Sequence, residues 1–280
     1  MAGRPVHTFE VLRSEQVTPH IIRVVLGGGG FDTFTPNDFT DAYVKIVFVR
    51  DGIDVASLPQ PLTLDSFNEL PVEKRPTVRT YTVRSVDTDR RELAIDIVVH
   101  GERGVAGPWA LAATPGQPAY LMGPSGAYAP DPAADWHLLA GDESALPAIA
   151  ASLSRLPAGS PARVLIEVDG AAEEQPLDTP ADAEIVWLHR HGAPVGEALV
   201  KAVRDLEFPP GVVHAFVHGE AGFVKELRRH LRVERGLPLD VLSISGYWRR
   251  GADEDGWRSS KADWNRQVEE QEANEMTRTG

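Results

Sequence analysis

The sequence predicts two successive folds: an antiparallel β-sheet or barrel, then an α/β domain built on a parallel sheet. Three observations lead there. Up to about residue 104, short runs rich in β-branched and aromatic residues alternate with Gly, Pro, Asp and Asn clusters, and long helical periodicity is missing. From Trp136 onward, short apolar runs alternate with helical stretches. Between the two lies Ala129-Pro130-Asp131-Pro132, a turn-rich stretch that sets a boundary. The division expected is 1–130, 131–258 and a polar tail over 259–280.

In the first part, strands are expected at Thr8–Leu12, Ile21–Leu26, Ala42–Val49, Thr77–Ser85 and Glu92–Val99. Gly27-Gly28-Gly29-Gly30, Pro36-Asn37-Asp38 and Asp87-Thr88-Asp89 separate them, the punctuation of an antiparallel sheet or barrel. In the second part, strands are expected at Trp136–Ala140, Arg163–Val168, Ile185–His189, Val212–His218 and Val241–Ser245. Helices are expected at Leu146–Leu156, Val195–Asp205 and Gly222–Arg235, so the pattern is one of βαβ units. In the tail, Asp263–Met276 reads as a solvated surface helix with Trp264 on one face, and the runs Glu173-Glu174 and Glu269–Glu272 read as solvated faces.

Composition narrows the chemistry. The chain has 280 residues, 28 of them basic and 41 acidic, for a net charge of −13. Such a field repels phosphate backbones, so a nucleic-acid partner is not expected, and an anionic substrate requires a local basic cluster. There is no cysteine, which excludes disulfides, thiolate zinc sites and iron–sulfur clusters. The N-terminus has no apolar signal core, and no apolar run is long enough to span a bilayer, so a cytoplasmic protein without stable membrane insertion is expected. The nine histidines form no His-x-x-x-His helix beside a carboxylate base, and Ser144 lies outside any Gly-x-Ser-x-Gly elbow; no metal site is expected.

Two segments carry chemistry. Arg79-Thr80-Tyr81-Thr82-Val83-Arg84 lies in an expected strand, so Arg79, Tyr81 and Val83 share one face and Thr80, Thr82 and Arg84 the other. Such a strand offers an aromatic ring, a hydroxyl and two guanidinium forks, and a guanidinium can bond two phosphate oxygens at once. Alone, it also fits an edge strand with exposed arginines. In Val98-Val99-His100-Gly101-Glu102-Arg103-Gly104-Val105-Ala106-Gly107-Pro108-Trp109, a strand runs into a glycine-rich turn, with a helix starting near Pro108. The free N–H groups there suit a diphosphate. Alone, this too fits an ordinary strand-to-helix turn.

In this order the two segments resemble the siderophore-interacting protein family of the ferredoxin-reductase superfamily. The resemblance continues through Gly123-Pro124-Ser125-Gly126, Gly141-Asp142-Glu143-Ser144-Ala145-Leu146-Pro147-Ala148, Trp187-Leu188-His189-Arg190, His218-Gly219-Glu220-Ala221 and Ser245-Gly246-Tyr247-Trp248-Arg249-Arg250. It implies a six-stranded antiparallel Greek-key barrel that binds FAD, then a parallel-sheet pyridine-nucleotide-binding domain. It implies Arg79 on the FAD diphosphate, Tyr81 on the isoalloxazine and Thr82 near the reactive N5. Arg84, Val99, His100, Gly101, Gly104, Ala106 and Trp109 complete the implied cofactor set. Asp142, Glu143 and Ser144 are implied on the nicotinamide side, with Glu220 near the nicotinamide; no Gly-x-Gly-x-x-Gly fingerprint occurs there. Trp248 or Tyr247 is implied to cover the flavin, and Lys45, Arg249 and Arg250 to meet the anionic siderophore. The sequence departs from the family at Ser125, where many relatives carry an arginine.

The activity implied is ferric-siderophore reduction. NADPH or NADH gives a hydride to the flavin, and electrons then pass singly to Fe(III). Ferredoxin is the other donor the family uses. Arg190 and the Lys225–Arg229 face are both candidates for a 2′-phosphate. Two further readings stay open: a flavin reductase or electron-transfer protein with another acceptor, and a non-enzymatic siderophore-binding module.

Overall fold

The computed structural model describes residues 3–99, 101 and 104–279, and the chain divides into two compact units, up to Ala127 and from Tyr128 onward. The first contains β1 (His7–Thr18), β2 (Ile21–Gly27), β3 (Tyr43–Phe48), α1 (Leu64–Asn68), β4 (Thr77–Asp87), β5 (Glu92–Val98), α2 (Ala106–Ala112) and β6 (Pro118–Ser125). The strands close into an antiparallel barrel of order β1-β2-β5-β4-β3-β6, with β6 returning to β1. Five strands lie where alternation predicts them. The sixth, β6, is not legible in the sequence because Pro118 and Gly123-Pro124 are loop signals at both its ends. Its inward positions Ala119 and Leu121 are nonetheless buried. Register shifts at Val11/Arg13 and Gln16/Thr18 mark irregularities in β1, which pairs with β6 at one end and β2 along its length.

The barrel interior is apolar. Phe9, Val11, Val24, Val44, Ile46, Ile95, Ile97 and Leu121 are essentially inaccessible. Each contributes about 1.5–3 kcal/mol by leaving water. This core fixes which face of each strand looks inward, and therefore which side chains of β4 look outward.

The second unit contains β7 (Trp136–Asp142), α3 (Leu146–Leu153), β8 (Pro161–Val168), β9 (Asp182–His189), α4 (Glu197–Asp205), β10 (Val213–Glu220), α5 (Ala221–Arg229), β11 (Leu242–Trp248) and α6 (Glu254–Thr279). The sheet is parallel, of order β11-β10-β7-β8-β9. Every residue of β7 is buried, as a central parallel strand covered on both faces requires. The chain moves from β7 outward through β8 and β9, then returns to lay β10 on the other side of β7. The β7/β10 boundary is thus the topological switch point, where ligands of such sheets collect at the carboxyl ends.

The tail differs from its expected solvated state. α6 starts at Glu254 and buries Trp257 and Val268, while Trp264 packs on the apolar cluster beneath α4 and α5. These three residues sit at i, i+7 and i+11, a narrow helical stripe that a mostly polar composition hides. Glu272, only 9% exposed, receives Arg228 Nε at 2.6 Å and Arg232 Nε at 2.7 Å, and Glu275 receives Arg229 Nε at 2.6 Å. Glu173 is buried as well. Much of the basic face expected at Lys225–Arg229 is therefore neutralised by α6. Replacing Glu272 with Ala leaves two half-buried guanidinium groups without this partner and is expected to cost about 2 kcal/mol in urea unfolding. A change under about 0.5 kcal/mol would show that the pairs behave as solvated surface bridges.

Candidate functional site

In the barrel, register decides what β4 presents. Val44 pairs with Tyr81 and Ile46 with Arg79, so Arg79 and Tyr81 share the side of the barrel core. Tyr81 packs on that core while half-exposed, and Arg79 is likewise half-exposed. Lys45 pairs with Thr80 and Tyr43 with Thr82, so Lys45, Thr80 and Thr82 share the outer side. The expected alternation holds from Arg79 to Val83 and brings Lys45 and Thr82 onto one face, although Thr82 is itself buried; at Arg84 it is broken, because the pairing with β5 shifts register between Val83 and Ser85. Arg84 lies 3.9 Å from Asp96, which also accepts both Nε and Nη2 of Arg23 at 2.7 and 2.8 Å. Arg84 is thus held toward a carboxylate of the barrel wall.

A groove of about 370 Å³ opens beside β3 and β6, lined by Ile46, Phe48, Arg50, Trp109 and Tyr120 among others. Its size is that of a small-molecule site. Trp109, on α2, meets Phe48 edge-to-face at 5.6 Å. Phe48 was not singled out in the sequence; only its place in β3, two residues from Ile46, brings it to Trp109. Between β5 and α2, Gly101 (φ +61) and Gly104 (φ +78) adopt the left-handed conformation, and a Cβ on either would meet open space. Val99 and Ala106 on either side are buried and anchor the turn, the Val99 N–H donating to the His20 carbonyl at 2.8 Å. His100 lies outside the described residues. A guanidinium, an aromatic ring, a hydroxyl and a glycine turn with room above it fit the chemistry of a flavin with its diphosphate.

In the second unit, Asp142 and Glu220, expected on the nicotinamide side, converge at the switch point with Trp248, expected over the flavin. Asp142 ends β7, Glu220 ends β10 and Trp248 ends β11. The strands approach closely here because two glycines allow it. A Cβ on Gly141 would lie 2.7 Å from the His218 carbonyl oxygen, and one on Gly219, where φ is +142, would lie 2.7 Å from Asp142 Cγ. Asp142 is fully buried and accepts hydrogen bonds from Ser144 N and Oγ, Glu220 N and Trp248 Nε1. Glu220 is 4% exposed; its carboxylate caps α5 through Gly222 N and Phe223 N and accepts Arg250 N at 3.1 Å. Both carboxylates, expected to face a ligand, are engaged within the protein. Glu143 and Ser144 remain partly exposed at the rim.

Arg190 is also engaged. Both its terminal nitrogens donate to Glu143, Nη1 at 2.8 Å, with Glu167 and Asp169 each at 3.8 Å. Arg249 and Arg250 are exposed at the end of β11, while burial lowers the pKa of Lys261 on α6. His137 and His218 are buried, and burial pushes their pKa values down to about 4 and about 3, so both are neutral at pH 7.

Comparison with known proteins places both units in one family. The description "Siderophore-interacting FAD-binding domain" matches residues 10–128, and "Siderophore-interacting protein" matches residues 134–251. An uncharacterized protein of Mycobacterium tuberculosis is 56% identical, covering 98% of this chain and 99% of its own. The ferric vibriobactin reductase ViuB of Vibrio cholerae is 34% identical over 90% of this chain and 93% of its own. An NADPH-dependent ferric-chelate reductase of Escherichia coli is 31% identical over 85% and 91%. Among solved structures, a siderophore utilization protein from T. fusca superposes with a TM-score of 0.77 at 38% identity, covering 90% of this chain and 96% of that one. The FAD/NAD-binding domain of a nitric oxide dioxygenase from Vibrio cholerae, at 15% identity, and a phthalate dioxygenase reductase, at 13%, share the ferredoxin-reductase-type fold and show the fold alone.

Proposed function

Since the chain belongs to the siderophore-interacting protein family, we propose that it is an FAD-dependent reductase that passes electrons from NAD(P)H to the Fe(III) of a siderophore. The observation that supports this most directly is the shared outer face of β3 and β4, where Lys45 lies beside Thr80 and diagonal to Thr82. A protein of net charge −13 needs a local cation to receive an anionic ferric chelate. Lys45 supplies one on the face that also carries the hydroxyl assigned to the flavin.

Bound FAD supplies a group that takes up two electrons together and releases them singly. The residues of the chain bind and orient. Arg79 offers its planar donors to the diphosphate, the glycine turn at Gly101 and Gly104 admits close backbone approach, and Tyr81 and Trp109 offer aromatic surface. Reduction frees the metal because hard oxygen donors hold Fe(III) strongly, whereas Fe(II) stands low in the divalent series. No residue need act as acid or base, in keeping with the internal engagement of Asp142 and Glu220.

NAD(P)H as donor is supported by the switch-point topology and by the name of the Escherichia coli relative. With Arg190 bound to Glu143, a 2′-phosphate must displace a carboxylate to reach it. Ferredoxin is the competing donor, and single-turnover reduction by NADH, NADPH and reduced ferredoxin in parallel separates the three. For the acceptor, the FAD-loaded protein is expected to oxidise its donor faster when ferric vibriobactin is added. An unchanged rate sinks the reductase assignment and leaves the alternative acceptors. Purified protein without absorbance near 450 nm would favour a non-enzymatic siderophore-binding module.

A further inference from the structure

Asp142 is an unusual group to bury. It is 0% exposed, and among the described residues no cation pairs with it. Four donors surround it instead: Ser144 N at 2.9 Å, Ser144 Oγ at 2.5 Å, Glu220 N at 2.9 Å and Trp248 Nε1 at 2.9 Å. They come from its own strand end, from β10 and from β11, so one carboxylate ties three strand ends together. Glu220, whose N–H it holds, in turn receives the N–H of Arg250. The segment from Trp248 to Arg250 is pinned at two points, by its indole and by its backbone.

We propose that Asp142 is a positioning residue whose carboxylate holds the Trp248 indole at the carboxyl end of the sheet, with Glu220 fixing Arg250 behind it. Its consequence for turnover rests on the reading of Trp248 as the flavin-covering aromatic; the positioning itself does not.

The chemistry of the site makes the strength of this hold depend on ionisation. A carboxylate accepts at both oxygens, whereas a carboxylic acid must donate one proton. Ser144 N and Oγ meet Oδ1, while Glu220 N and Trp248 Nε1 meet Oδ2, so an acid proton on Oδ1 is received by the Ser144 hydroxyl, which can turn to accept it. The indole N–H on Oδ2 then keeps an acceptor, but exchanges a charge-assisted bond for a weaker one to a neutral acid. The charged groups around Asp142 are Glu143 beside it, Glu167 across on β8, Arg190 bound to Glu143, Glu220 on β10 and Arg250 beyond β11. Burial and Glu143 favour the neutral acid, the hydrogen bonds favour the anion, and the balance pushes the pKa up to about 6. The indole is therefore held by a charge-assisted bond above about pH 6 and more loosely below it.

The test uses apo and FAD-loaded full-length protein. The chain has six tryptophans, so the Trp248 signal is the difference in fluorescence and near-ultraviolet circular dichroism between wild type and Trp248→Phe. That difference signal is expected to change sigmoidally with a midpoint near pH 6 while far-ultraviolet dichroism stays constant. Asp142→Asn is expected to show the low-pH signal at neutral pH with no transition. Ser144→Ala removes the hydroxyl contact, keeps the backbone N–H one, and is expected to keep the transition. A flat Trp248 signal across this range, or an Asp142→Asn protein with the wild-type neutral spectrum, overturns the proposal. Should Asp142→Asn fail to fold, the wild-type titration against Trp248→Phe decides alone. Loss of the reductase reading would show as absent ferric-siderophore turnover with this optical transition intact, so the two failures are distinguishable.

Discussion

Arg79→Ala is expected to weaken FAD binding roughly 10- to 100-fold, the worth of one charge-assisted hydrogen-bonded contact. The reasoning starts from register. Because Arg79 pairs with the inward residue Ile46, its side chain leaves β4 on the side of the barrel core, where its Nη1 donates to the Val78 carbonyl at 2.9 Å. A diphosphate placed near the Gly101–Gly104 turn is matched by a planar fork. Arg79→Lys keeps the charge but loses the paired geometry, and is expected to recover only part of the affinity. Quenching of FAD fluorescence on titration measures all three proteins. Equal dissociation constants for wild type and Arg79→Ala would remove Arg79 from the cofactor site. Far-ultraviolet dichroism controls for folding, since Arg79 is not a core residue.

Glu167→Ala is expected to be the most destabilising of the substitutions considered, at about 3 kcal/mol. Glu167 is 0% exposed at the end of β8, and its two oxygens accept the N–H groups of Gly196 at 2.7 Å and Leu199 at 3.0 Å, satisfying the free end of α4. Arg190 lies 3.8 Å away. The truncation leaves two buried backbone donors without a partner and removes one of the carboxylates near Arg190. For a unit of this size the change corresponds to a fall in melting temperature of roughly 6–12 °C. Glu167→Gln keeps the shape and one acceptor, so roughly half the loss is expected. A shift of less than about 2 °C for the alanine variant would mean that water replaces the carboxylate at the helix end.

Both effects involve residues whose roles were unevenly legible. Arg79 was marked by a local pattern, a guanidinium and an aromatic ring at alternate positions of one strand. Glu167 carried no mark, because its partners lie some 30 residues onward in a loop and the first turn of α4. The same distinction separates the expected strands from β6. Alternation of apolar residues reports a strand when nothing interrupts it, and the prolines around β6 interrupt it. α6 shows the reverse case: three apolar residues over three turns suffice to dock a helix whose average composition is that of a solvated one.

The sequence by itself determined the order of the two folds, the positions of ten of the eleven strands and the strand face that carries Arg79 and Tyr81. These follow from period-two and helical patterning, which acts over a few residues and can be read wherever it occurs. Only the tertiary structure decided that Asp142 and Glu220 bind the protein's own backbone and indole, that Arg190 is held by Glu143, and that α6 neutralises the arginines of α5. Those outcomes depend on which groups meet after the sheet has closed, between residues as far apart as Asp142 and Trp248. A buried carboxylate takes whichever donors are nearest, and chain order does not say which those are.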